Sequence, residues 1–192
     1  MDRNLLWTRW DNTGTELLNI SARANCYVIK STLLGVIEGV PMRVIYRLCC
    51  DAQWHMRELD VYKFVDAGAT VESVHLRRAE DGRWRTADGE PLPELDGCLD
   101  VDLRATPFTN TLPIRRLGLQ PGKSAEINVA YVDFPTLEVS PSRQRYTHFG
   151  RIDGVQHYKF ESLEVDFEAV LPVDDDGIVL DYPGLFRRIQ PA

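Results

Sequence analysis

Apolar and polar residues alternate with period two along most of the chain. Val44, Tyr46, Leu48 and Cys50 fall on one side of a strand, with Arg43, Ile45, Arg47 and Cys49 on the other. Residues 54–65 supply its antiparallel return, and residues 71–79 a further strand with Val74 and Leu76 apolar. Residues 98–104 and 125–134 read as strands as well. The same period marks residues 165–171, with Val165, Phe167, Ala169 and Leu171 inward and Asp166 and Glu168 outward. Residues 24–40 are β-branched and broken by glycine, which predicts one long or broken strand.

Five Asp-Gly pairs punctuate these segments: Asp81-Gly82, Asp88-Gly89, Asp96-Gly97, Asp153-Gly154 and Asp176-Gly177. Glycine reaches positive φ without a Cβ clash and Asp tolerates it, so such pairs predict hairpin turns. Asp153-Gly154 joins residues 146–152 to 155–160, placing Gly150 opposite His157 and His148 diagonally across from it. Tyr158 then lies on the face opposite His148. Pro91 and Pro93 confine their segment to a sheet edge or loop, because proline donates no ladder hydrogen bond. The helical signal of the second half is residues 111–118, with Thr111 as cap, Pro113 in the first turn and Gly118 at the end. Strand following strand with little helix predicts an all-β antiparallel fold in a single domain, residues 1–192.

At 192 residues, with 44% hydrophobic and 27% charged positions, the chain has the composition of a folded globular protein. A net charge of −7 disfavours nucleic acid as a partner. No apolar run reaches the ~20 residues of a membrane span. The first ten residues lack the basic leader, apolar stretch and cleavage site of an export signal, so the expectation is a cytoplasmic location with reduced thiols at Cys26, Cys49, Cys50 and Cys98.

The candidate chemistry is sparse. His148 and His157 could begin a metal site but have no third ligand nearby. Asp174-Asp175-Asp176-Gly177 has consecutive acids where a calcium loop needs alternating ones, and reads as an acidic turn. No Gly-x-Ser-x-Gly elbow, phosphate loop or dinucleotide fingerprint occurs, so no catalytic residue and no cofactor is expected. Cys49 with His55 could be written as a thiol-imidazole pair, but a buried thiol with no partner to lower its pKa is inert. Glu58 and Asp60 share a face with Arg43 and Arg47 across the hairpin, as ion pairs, cavity lining, or the acid and base of an enzyme for a small polar substrate. Arg115-Arg116 and Arg187-Arg188 concentrate positive charge suited to phosphate or carboxylate groups. A protein-interaction module with an exposed strand edge is a further reading.

Two stretches carry a resemblance. Residues 108–117, Phe-Thr-Asn-Thr-Leu-Pro-Ile-Arg-Arg-Leu, and the tail from Val165-Asp166-Phe167 through Asp181-Tyr182-Pro183-Gly184-Leu185-Phe186-Arg187-Arg188 resemble the bacterial family called Putative glycolipid-binding, over the full chain. The resemblance implies a spiral β-roll, a long antiparallel sheet curled around a groove, similar in shape to bacterial lipoprotein-localisation factors. It implies non-enzymatic binding of a glycolipid or other acyl-bearing ligand in that groove. The residues expected to contact the ligand are Arg43, Arg47, Asp60, Arg115, Arg116, Tyr146, His148 and Tyr158.

Overall fold

The structure is a computed structural model that describes residues 2–65 and 69–189. Its strands form two sheets. The first comprises β1 (Arg3–Arg9), β2 (Gly14–Ala22), β3 (Cys26–Ile37), β4 (Val40–Asp51), β5 (Met56–Val65), β6 (Thr70–Arg78) and β7 (Trp84–Thr86). The last two strands of the chain, β13 (Asp181–Tyr182) and β14 (Phe186–Ile189), add to its β1 edge, giving nine strands in the order β13-β14-β1-β2-β3-β4-β5-β6-β7. The second sheet has five strands: β8 (Cys98–Leu103), β9 (Ser124–Val132), β10 (Val139–Ile152), β11 (Val155–Ser162) and β12 (Phe167–Val173). Every named pairing is antiparallel except β8 with β9, which are parallel because α1 (Thr111–Leu117) and its flanking turns carry the chain back between them.

The fold is therefore mostly β with one short α-helix, as the alternation predicts. In place of the one curled sheet implied by the resemblance, the strands form two ladders. Residues 178–180 bridge their edges: Leu180 N–H donates to Pro172 O at 2.8 Å, and Leu180 O accepts from Arg188 N–H at 2.8 Å.

The predicted faces of β4 hold through Leu48, after which a register shift between Cys49 and Cys50 accompanies burial of both. Val44, Tyr46, Leu48 and Cys50 are buried, and Arg43 and Ile45 face outward. Three of the four tryptophans, Trp7, Trp54 and Trp84, are core, while Trp10 is exposed and lies under Arg187. All four cysteines are free, and burial raises the thiols of Cys49, Cys50 and Cys98, the last to about 11.

Local chemistry revises several expectations. Among the Asp-Gly pairs, Asp153-Gly154 alone has both residues at positive φ, 51° and 82°, the signature of a tight two-residue hairpin. In the other four only the glycine is left-handed, and the loops are longer. A bulge at Phe149, made possible by Gly150 at φ 89°, shifts the register of β10. His148 consequently pairs directly with Tyr158 instead of sitting diagonally from His157, and the two rings stack at 4.3 Å on one face. Val165 and Phe167, expected inside, are exposed, whereas Leu171 is fully buried. Thr111 does not cap α1: Asn110 holds the cap position without a side-chain bond, while Gly118 ends the helix at φ 53° as anticipated.

Residues 105–114, from the end of β8 into α1, are buried throughout and lie between the sheets. Thr106 donates to Glu16 of β2 at 2.6 Å, and Asn110 Oδ1 accepts from the Tyr146 hydroxyl of β10 at 2.9 Å. This segment fills part of the interior.

Candidate ligand cavity between the sheets

A cavity of about 640 Å³ opens beside this segment. Its walls come from both sheets: Asp102 on β8, Tyr131 on β9, Gln144 on β10, Phe160 on β11, Phe167 on β12, Tyr182 on β13 and Phe186 on β14. The volume is within the roughly 300–1,000 Å³ of small-molecule sites.

One wall is aromatic. Phe160, Phe167 and Tyr182 form a triangle with ring centroids 6.1, 6.3 and 6.4 Å apart. Phe160 and Tyr182 are buried, and Phe167 stands at the mouth beside exposed Val165.

The polar end is built on Asp102. Alternation puts it on the face of β8 opposite buried Val101 and Leu103, the face it shares with buried Asp100. Its Oδ1 accepts from Thr109 Oγ1 at 2.9 Å and its Oδ2 from Gln144 Nε2 at 2.7 Å. Among the described residues no cation is paired with it. Desolvation raises its pKa, and the two neutral hydrogen bonds offset this only in part. The same carboxylate acts on its neighbours: burial and then Asp102 push the Tyr131 phenol up to about 12 and raise that of Tyr182. Gln144 is 2% exposed, and its Oε1, turned away from Asp102, has no hydrogen-bond partner among the described residues. Among the described residues one cation lines the cavity, Arg104 at the rim, and it is engaged by Glu38 (2.5 Å), Asp133 (3.0 Å) and Phe134 O (2.8 Å).

A second buried carboxylate lies behind this wall. Glu16 is 1% exposed and accepts hydroxyl bonds from Ser31 (2.7 Å), Tyr46 (2.8 Å) and Thr106 (2.6 Å), the last itself a cavity residue. Desolvation raises the Glu16 pKa despite these donors.

None of the eight residues expected from the sequence lines this cavity. Arg43, Arg47 and Asp60 lie on the outward face of the nine-stranded sheet. Arg43 stacks on Phe64 at 4.1 Å, and Arg47 pairs with Glu58 at 2.7 Å and Asp60 at 3.7 Å. Asp60 also accepts from Arg77 (2.6 Å) and His75 (2.9 Å). Desolvation raises its pKa, but these partners outweigh it and the net shift is downward, the reverse of what an acid catalyst needs. Arg115 lies over the Trp54 ring at 4.6 Å and donates to Asp176 O. Arg116 is 10% exposed and grips fully buried Asp100 through Nη2 at 2.6 Å and through Nε to both oxygens at 3.2 Å. The Thr-Leu-Pro-Ile-Arg-Arg motif thus docks α1 onto β8.

Tyr146 and His148 share the inward face of β10 with Gln144, but the space beside them is packed. Tyr146 meets Asn110 and Phe160, and His148 Nδ1 meets Leu119 O at 2.6 Å. Gln144, two residues away on the same face, borders the open space.

The remaining candidates take structural places. Asp174 accepts from Arg188 (2.8 Å), Arg3 (3.1 Å) and the backbone N–H groups of Asp176 and Ile178, closing an acidic turn. His55 pairs with Asp51 rather than Cys49. Among the described residues no three His, Cys, Asp or Glu side chains converge to hold a metal ion, and no helix is long and apolar enough to cross a membrane.

Comparison with known proteins gives the same picture of relatedness as the two motifs. A DUF1089 family protein from Pseudomonas aeruginosa, solved by crystallography, is 44% identical, covers 91% of this chain and 92% of its own, and superposes with a TM-score of 0.79. A search of curated proteins found no match. The profile of the family described as Putative glycolipid-binding matches residues 4–188, and the chain belongs to that family.

Proposed function

We propose that the protein binds a glycolipid, or another amphipathic molecule with a hydroxyl-rich head, in the cavity between the sheets, without chemical change to the ligand. The observation that carries this reading is the cavity's two-ended lining: an aromatic wall opening past Phe167 and a hydrogen-bonding end at Asp102 and Gln144. Aromatic faces suit both hydrocarbon and the C–H faces of a sugar ring, and their burial supplies about 25 cal/mol per Å². The family description points the same way. On this reading the two ladders, bridged at residues 178–180, act as the wrapped wall that a β-roll would provide. The cationic outer face at Arg43 and Arg47 takes no part.

Isothermal titration with n-octyl-β-glucoside below its micelle concentration tests the proposal. Saturable 1:1 binding is expected, weakened by Phe167→Ala, which removes an exposed ring at the mouth. Loss of about 1–2 kcal/mol of apolar contact corresponds to roughly 5–30-fold in Kd. Absence of saturable binding, or an unchanged Kd in the variant, would overturn the assignment.

A further inference from the structure

We infer that the cavity selects its ligand by head-group charge. It seats a non-anionic, hydroxyl- or amine-bearing head on Asp102, with the hydrocarbon leaving past Phe167. This rests on the lipid-binding reading above and adds to it an orientation and a selectivity.

The charge census of the lining is lopsided. Three carboxylates, Asp102, Asp133 and Glu164, face a single guanidinium, Arg104, which Glu38 and Asp133 already hold. A phosphate or carboxylate head entering this space would meet no free cation among the lining residues and would be repelled by Asp102 at short range.

The hydrogen-bond inventory agrees. An ionised carboxylate has about four acceptor positions, and Asp102 uses one on each oxygen. Because that carboxylate can only accept, the Gln144 amide presents Nε2 to it, which leaves Oε1 as the uncommitted atom. The polar end therefore offers the free acceptor positions of Asp102 to donors, with Gln144 Oε1 closed off and unpaired behind it. Sugar hydroxyls and amino-sugar ammonium groups are donors; phosphate diesters and fatty-acid carboxylates at neutral pH are not. A buried acceptor left unmatched is costly, so such a site discriminates strongly against the wrong head.

Head-first seating follows from position. The acceptors stand on β8 and β10 against the buried 105–110 segment, whereas the most exposed apolar lining residues, Val165 and Phe167, stand at the opening.

The test compares three probes of one chain length, n-octyl-β-glucoside, n-octyl phosphate and octanoate, by titration calorimetry at pH 7.5. The glucoside is expected to bind at least tenfold more tightly than either anion. Asp102→Asn is isosteric and removes the charge. Gln144 can turn its Oε1 toward the new amide and keep the hydrogen bond, so the preference should fall toward unity through the lost charge. Should that variant not fold, Glu164→Lys changes an exposed rim residue and should tighten octyl phosphate several-fold at low salt. A nitroxide at the end of the octyl chain should broaden the amide signals of Val165 and Phe167 more than those of Leu103 and Thr109. Equal binding of all three probes, or broadening centred on Thr109, would overturn the inference while leaving lipid binding intact. Failure of every probe to bind would remove both.

Discussion

Replacing Arg116 with Met should unfold the protein more readily without touching the ligand. Methionine keeps much of the apolar stem and deletes the guanidinium. That group is 10% exposed and makes three contacts to Asp100, which is 0% exposed. Burial already raises the Asp100 pKa, and Arg116 restrains the rise. Without the arginine a desolvated carboxylate is left against β8, with Arg78 as its largest remaining positive influence. Breaking such a pair from one side costs about 3–5 kcal/mol. At about 2–4 °C per kcal/mol for a domain of this size, the melting temperature should fall by roughly 6–20 °C. Urea titration followed by near-UV circular dichroism measures it. Two controls sharpen the reading. Asp100→Asn in the same background removes the orphan charge and should recover much of the loss. Acidification should also narrow the gap between variant and parent, because the orphaned Asp100 takes up a proton as pH falls through its raised pKa. A loss below 1 kcal/mol, or weakened ligand binding at unchanged stability, would refute the docking role and return Arg116 to the ligand site.

Further expectations concern other buried groups. Glu16→Ala strands the hydroxyls of Ser31, Tyr46 and Thr106 and should cost about 3–5 kcal/mol, whereas Glu16→Gln keeps an acceptor for Ser31 and Tyr46, turns Thr106 into an acceptor for its Nε2 and should cost less at pH 7; equal losses in urea unfolding would contradict the hydrogen-bond scheme. The pH dependence of stability should show two opposed contributions. Asp51, Asp60 and Asp174 have folded pKa values below their unfolded ones, so the stability they supply is present at neutral pH and lost on acidification; Asp174→Asn should flatten that limb. Glu16 and Asp102 are raised, so their contribution runs the other way, greatest in acid and lost as pH rises through their folded values; Glu16→Gln should remove part of that slope. Gly150→Ala forces a side chain at φ 89° and should cost about 1–2 kcal/mol, with amide shifts confined to the β10–β11 bulge.

The strands were legible where one face is buried, so alternation survives in the sequence at β4 and β5. The hairpin at Asp153-Gly154 was legible because a type I′ turn requires two residues at positive φ. The bulge at Phe149 was not, since a glycine inside a strand pattern does not say whether it pairs or slips, and one extra residue moved His148 from the diagonal to a position opposite Tyr158. Val165 and Phe167 look inward by period, yet they end at an opening between sheets, a property of long-range packing. The residues expected to contact a ligand lie outside the cavity for a related reason. Clustered arginines and histidines draw attention, but here they satisfy local partners: Asp100, Trp54, Leu119. The cavity is made by residues from five strands of one sheet's interior face and the far end of the chain. A faint signal existed in β8, where Asp100 and Asp102 recur at period two among Cys98, Val101 and Leu103. Two acids in an otherwise apolar strand imply buried carboxylates with specific partners.

The central claim, that ligand enters between the sheets rather than lying on the outer face, is tested most directly by amide chemical-shift mapping with n-octyl-β-glucoside. Shifts should concentrate at Asp102, Tyr131, Gln144, Phe160, Phe167 and Tyr182, with Arg43, Arg47 and Asp60 unmoved. Shifts centred on Arg43, Arg47 and Asp60, with the cavity residues silent, would contradict the account.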